Sequence, residues 1–126
     1  MLGRQMMKHA VLLIASTVSL MACTQVQEHQ FKEVARASFE DVLSDAQTAR
    51  FRNERVVWAQ GSDERLALCG EVNAKNLMGA YVGWKRFVVE GSVSGSSKPF
   101  TVGPLIEDAG YLQGEFRRAR DYYCGG

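Results

Sequence analysis

The sequence predicts a small α+β domain: an N-terminal amphipathic helix, an antiparallel meander of three to four strands, and a C-terminal helix. Three observations carry that expectation. From Phe31 the apolar residues recur at i, i+3 and i+4 spacing, the signature of a helix with one buried stripe. Between Arg55 and Glu90, runs rich in β-branched and aromatic residues alternate with turn-forming ones. Near the end, Phe116, Ala119 and Tyr123 return to helical spacing. Helices gathered on one face of an antiparallel sheet are the layered arrangement such an order predicts.

Ahead of the first helix lies a segment of a different kind. Arg4 and Lys8 precede an uncharged apolar run from Ala10 to Met21. About a dozen residues is too short to span a bilayer, which needs roughly 20, and fits the core of an export signal. The run ends Leu20-Met21-Ala22-Cys23, with an apolar residue, a small residue and then cysteine. This ending resembles the lipobox of bacterial lipoproteins. The resemblance implies cleavage after Ala22, a diacylglycerol thioether on the Cys23 sulfur, and acylation of the new N-terminus. Burial at about 0.8 kcal/mol per methylene makes three acyl chains an effectively permanent anchor. Thr24, where an aspartate would retain many lipoproteins at the inner membrane, implies the periplasm-facing outer membrane. Met6 and Met7 are alternative start residues to Met1. The expected organisation is thus a signal peptide over residues 1–22, a lipidated polar tether over 23–30, and one domain over 31–126.

Within the domain, Phe31, Val34, Ala35, Phe39, Val42 and Leu43 form the apolar stripe of a helix about 15 residues long. Ser44 and Asp45 interrupt it, and Asp45 suits the N-cap of a short turn through Phe51. Residues 55–60 read as the first strand, 65–73 as the second and 81–90 as the third. A Ser/Gly loop follows over 91–98, then a short fourth strand at 99–104. The closing helix covers residues 114–124 and carries Arg117, Arg118 and Arg120, tempered by Glu115 and Asp121, a face suited either to solvent or to anionic lipid, lipopolysaccharide or a polyanionic wall polymer.

The whole chain has 126 residues and a formal charge of +1. Removing the first 22 leaves 104, with 13 basic against 14 acidic residues and a charge of −1. That is enough for one small domain, and near-neutrality argues against a nucleic-acid partner. With Cys23 lipidated, Cys69 and Cys124 remain. An even pair in an exported domain reads as one disulfide, the rival being a nucleophilic thiol.

Residues 69–87 are the most distinctive stretch. Cys69, Gly70, Val72, Asn73, Lys75, Asn76, Gly79, Tyr81, Gly83 and Phe87 match a pattern CG-x-VN-x-KN-x-x-G-x-Y-x-G-x-x-x-F, with Asp45, Ala49 and Phe51 upstream and Cys124 at the end. The segment resembles one shared by a group of small bacterial proteins without an established function. It departs from them at Ala46, Thr48 and Ala80. The resemblance implies a shared fold and no particular activity. Alternation places Cys69, Glu71 and Asn73 on one face, with Lys75, Lys85, Arg86 and Tyr81 as candidate partners for the Glu71 carboxylate. Glu71, Asn73, Lys75, Asn76, Tyr81 and Trp84 form either a recognition patch or a structural network. In the structural version the asparagines bond their own loop. Trp58 and Trp84 are either core residues or interface anchors.

Catalysis is not expected. His9 lies in the signal and His29 in the tether, so the domain has no histidine for a base or a metal. Asp63, Glu64, Glu107 and Asp108 fall in expected loops and make no recognisable pair with Glu71. No cofactor is expected. The leading functional expectation is a lipid-anchored envelope protein that binds another envelope component. The alternatives are an inhibitor or immunity protein against a periplasmic hydrolase or toxin, and an accessory subunit of an envelope assembly complex.

Overall fold

A computed structural model describes residues 21–95 and 97–125, so the expected export signal lies outside the described residues apart from Met21 and Ala22. A helix, α1, occupies 21–37 and tightens into a 3-10 turn at Ser38–Asp41. Four strands follow, β1 (Asp45–Trp58), β2 (Arg65–Lys75), β3 (Lys85–Ser92) and β4 (Phe100–Ile106). They form one antiparallel sheet in sequence order. A short 3-10 turn leads into α2 (Gln113–Ala119), which widens into a π-helical turn at Arg120–Cys124. The fold is α+β, as expected, with one disulfide joining Cys69 in β2 to Cys124.

The helices lie on opposite faces of the sheet, not on one. Phe31, Ala35 and Phe39 of the first helical segment pack on Leu66, Leu68, Val72, Phe87 and Val89. On the other face Phe116, Ala119 and Tyr123 pack on Ala67, Cys69 and Val88. The reason is legible in the strands. Leu66-Ala67-Leu68-Cys69 and Phe87-Val88-Val89 are unbroken buried runs, so both faces of β2 and β3 require a cover.

Residues 24–30, expected as a tether, are helical and continuous with α1. They contain no glycine or proline, and Glu28 accepts a hydrogen bond from the Trp58 indole at 2.7 Å. Val42 was expected in the buried stripe and is exposed, because the helix has already ended in its 3-10 turn.

The expected turn at 46–51 is instead the first half of β1. Its pairing with β2 slips between Arg52 and Arg55, so three steps on β1 face two on β2. This is a β-bulge, and Asn53 sits in it with φ of 52°. The bulge turns Glu54 toward α1, where Arg36 and Lys32 hold it and leave its side chain 7% exposed. The space that receives Glu54 and the Phe87 ring exists because residue 70 is glycine. A Cβ there would stand 2.9 Å from Phe87 Cζ and 3.1 Å from Glu54 Cγ.

Candidate functional site

α2 and the π-helical turn cover only one half of their sheet face, the half containing Ala67, Cys69 and Val88. Beyond Cys69 the same face continues through Glu71, Asn73 and Lys75, and among the described residues no helix covers it. Strand alternation brings Arg52 opposite Glu71 and Arg50 opposite Asn73, while Arg86 stands opposite Glu71 on the other side. The result is a row of alternating charge across the sheet, Arg52–Glu71–Arg86–Glu107.

Glu71 accepts from Asn53 Nδ2 at 2.6 Å and from Arg52 Nε at 3.1 Å. The hydrogen bonds from Arg52 and Asn53, with Arg86 adding its charge, hold the carboxyl below the usual carboxylate range. Glu107 is lowered in the same direction, first by its hydrogen bond from the Arg86 guanidinium. The expected partners of Glu71 were Lys75, Lys85, Arg86 and Tyr81. Its hydrogen-bond partners are the Arg52 and Asn53 side chains, and it lies on the open half of the face.

The two aromatic residues of the predicted set each lie under an arginine. The Arg52 guanidinium carbon is 4.0 Å from the Trp84 ring centroid, and that of Arg50 is 4.5 Å from Tyr81. Each such contact contributes about 0.5–1 kcal/mol at an exposed site. Lys75 Nζ lies 5.5 Å from the same Tyr81 ring. Among the described residues neither Arg50 nor Lys75 pairs with a carboxylate. Tyr81 is fixed from below, its hydroxyl donating to the Thr48 carbonyl at 3.3 Å, while the Lys75 amide donates to the Thr48 hydroxyl at 3.0 Å.

Asn73 and Asn76 bond their own loop. Asn73 Oδ1 accepts from the Gly83 amide at 3.0 Å. Asn76 Oδ1 accepts from the amides of Met78 and Ala80 at 3.0 and 3.1 Å. The Asn76 amide donates to Ala80 at 2.9 Å and the Gly79 amide to Asn76 at 3.0 Å, with Gly79 at φ of 79°. A Lys75–Tyr81 bridge closes the base of the turn. For these two asparagines the structural version of the network holds.

The structure therefore brings Glu71, Asn73, Lys75, Tyr81 and Trp84 onto one open surface, with Asn76 organising the adjoining tip. Sequence reasoning missed Thr48, Arg50, Arg52 and Asn53. The signal was present as the alternation Arg50-Phe51-Arg52, a strand with one basic face, which begins in the segment read as a turn and runs past its end. Trp58 is half-buried against the α1-side core, whereas Trp84 remains partly exposed. Two of the three arginines of the closing helix are drawn into pairs. Arg118 reaches Glu90 and Glu115, each at 3.3 Å, and Arg120 reaches Asp121 at 2.8 Å.

Next to the disulfide, a shallow depression of about 280 Å³ is lined by Arg55, Glu71, Arg86, Phe116 and Arg120. A larger groove of about 710 Å³ runs between the end of α1 and the start of β1, and contains none of the predicted site residues. Among the described residues no group of three or more His, Cys, Asp or Glu side chains is placed to hold a metal ion. Also among them, no helix is long and apolar enough to cross a membrane.

Fold and site together define a disulfide-stapled α+β domain with an open, aromatic and basic half-face. No family model matches the chain, and no curated protein or solved structure matches it.

Proposed function

We propose that the protein is a non-enzymatic lipoprotein of the bacterial envelope, anchored through Cys23 on the periplasmic side of the outer membrane. Its domain binds another envelope component through the uncovered half of the sheet. The division of the three cysteines supports this reading best. Cys69 and Cys124 are joined, as an oxidising compartment favours. The third, Cys23, is exposed and unpaired, and it ends the lipobox-like run.

The experiment is metabolic labelling with a fatty acid, followed by membrane fractionation of the wild type and Cys23→Ser. The wild type should carry label and sediment with outer membrane. The variant should carry none and accumulate as a precursor or in another fraction. Equal labelling of both proteins would reject the anchor.

A second reading, an inhibitor or immunity protein, draws on one feature, the hydrogen-bonded tip between β2 and β3 that exposes Leu77 and Met78. Loops already held in their bound conformation bind tightly because little order is lost on association.

A further inference from the structure

The Asn76–Ala80 tip carries Leu77 and Met78, exposed to 88% and 92%. Such side chains gain nothing for the fold where they stand. The loop that displays them is nevertheless held by four hydrogen bonds anchored on Asn76 and by the Lys75–Tyr81 bridge below. A loop tied this closely loses little further freedom when it docks. On its flank Arg50 and Lys75 stand over Tyr81, and among the described residues neither cation has a carboxylate partner.

The position of the tip narrows the choice of occupant. α1 runs antiparallel to β1, with Glu28 at Trp58, Arg36 at Glu54, and Phe39 against Phe51. Cys23 therefore lies beyond the Trp58 end of the sheet. The tip follows Lys75, which pairs with Asp45 at the opposite end. Eleven residues of β2 separate the two ends, about 35 Å at strand rise. A domain anchored at Cys23 thus carries its apolar tip away from the bilayer that holds it.

From these observations we infer that the 76–80 loop is a preformed plug that inserts Leu77 and Met78 into an apolar cleft of a folded protein partner. Carboxylates bordering the cleft pair with Arg50 and Lys75. The inference rests on the anchored-binding reading for the direction in which the tip points, and it identifies the partner by its chemistry.

The test places the photoreactive residue p-benzoylphenylalanine at Leu77 of the full chain in its bacterial host. Tyr111, which is 95% exposed, serves as the control position. Irradiation should join Leu77, and not Tyr111, to one protein. The cross-linked peptide should map to an apolar cleft with aspartate or glutamate at its border. Arg50→Glu with Lys75→Glu should lower the adduct yield about tenfold or more, since charge complementarity is inverted. Arg50→Gln with Lys75→Gln, checked for an unchanged melting curve, gives the same reading if the reversal unfolds the domain.

An adduct with phospholipid, with a second copy of this chain, or with a protein site lacking that border would overturn the proposal. So would a yield indifferent to the two cations, or no adduct at all. Fatty-acid label read on the same samples separates the two claims. Label without an adduct removes the plug alone, and an adduct without label removes the anchor alone.

Discussion

Glu71 and Glu107 show how single residues use the open half-face. Each is a carboxylate held by an arginine in the neighbouring chain segment, Arg52 for Glu71 and Arg86 for Glu107, and each titrates below its ordinary range. A carboxyl whose folded pKa is lowered contributes stability that is complete above the unfolded value, about 4.3 for glutamate. That contribution is lost as pH falls through the lowered folded value. NMR titration of the side-chain carboxyl carbons should therefore place both midpoints below that of an unstructured glutamate. The alternating charge row should stay intact through mildly acidic pH and dissolve only below it. A midpoint at or above the ordinary value for Glu71 would mean that Arg52 and Asn53 do not hold it in solution. At Gly70 the same economy of space is steric. Phe87 and the stem of Glu54 fill the place a side chain would take, which is the physical content of the Cys-Gly pair in the distinctive segment.

At the level of elements, the sequence was most legible where periodicity was unbroken. β2 and the helical stripe of Phe31, Ala35 and Phe39 follow directly from it. β1 did not, because the bulge at Asn53 breaks its period of two. The α1-facing residues are Ala49 and Phe51 before the bulge, then Glu54, Val56 and Trp58 after it, one step out of phase. The basic residues of the candidate site lie just before that slip, so the half-face was recovered only from β2 and its loop. β3 begins at Lys85 instead of Tyr81, since Gly83 takes φ of 97° and the chain before it folds back on Asn73. The opposite placement of the two helices was legible in the double-sided apolar runs of β2 and β3, and binary patterning outweighed element order there.

The disulfide links β2 to the last turn across a separation of 55 residues. Opening it should lower the unfolding free energy by about 4 kcal/mol in the chain-entropy account. Denaturant unfolding of Cys69→Ser and Cys124→Ser against the wild type measures this, and both variants should fall by similar amounts. In the unreduced wild type neither thiol should react with an alkylating agent. Two freely alkylated thiols would remove the staple and reopen the question of thiol chemistry at Cys69.

The molecule as a whole has two unlike ends. One carries Cys23, exposed among the first described residues of α1, and the other carries the Leu77–Met78 tip beside an aromatic and basic half-face. That polarity fits the proposed function, in which an anchor at one end would leave the proposed recognition surface free at the other. The anchor is the claim on which the rest of the functional account leans. Its most direct test is the intact mass and N-terminal peptide of the protein extracted from membranes of its own host. The account predicts a chain that begins at Cys23, heavier than its amino acids by a diacylglycerol thioether and one further acyl group. A chain with an unmodified Cys23 thiol, or one still carrying residues 1–22, would contradict it.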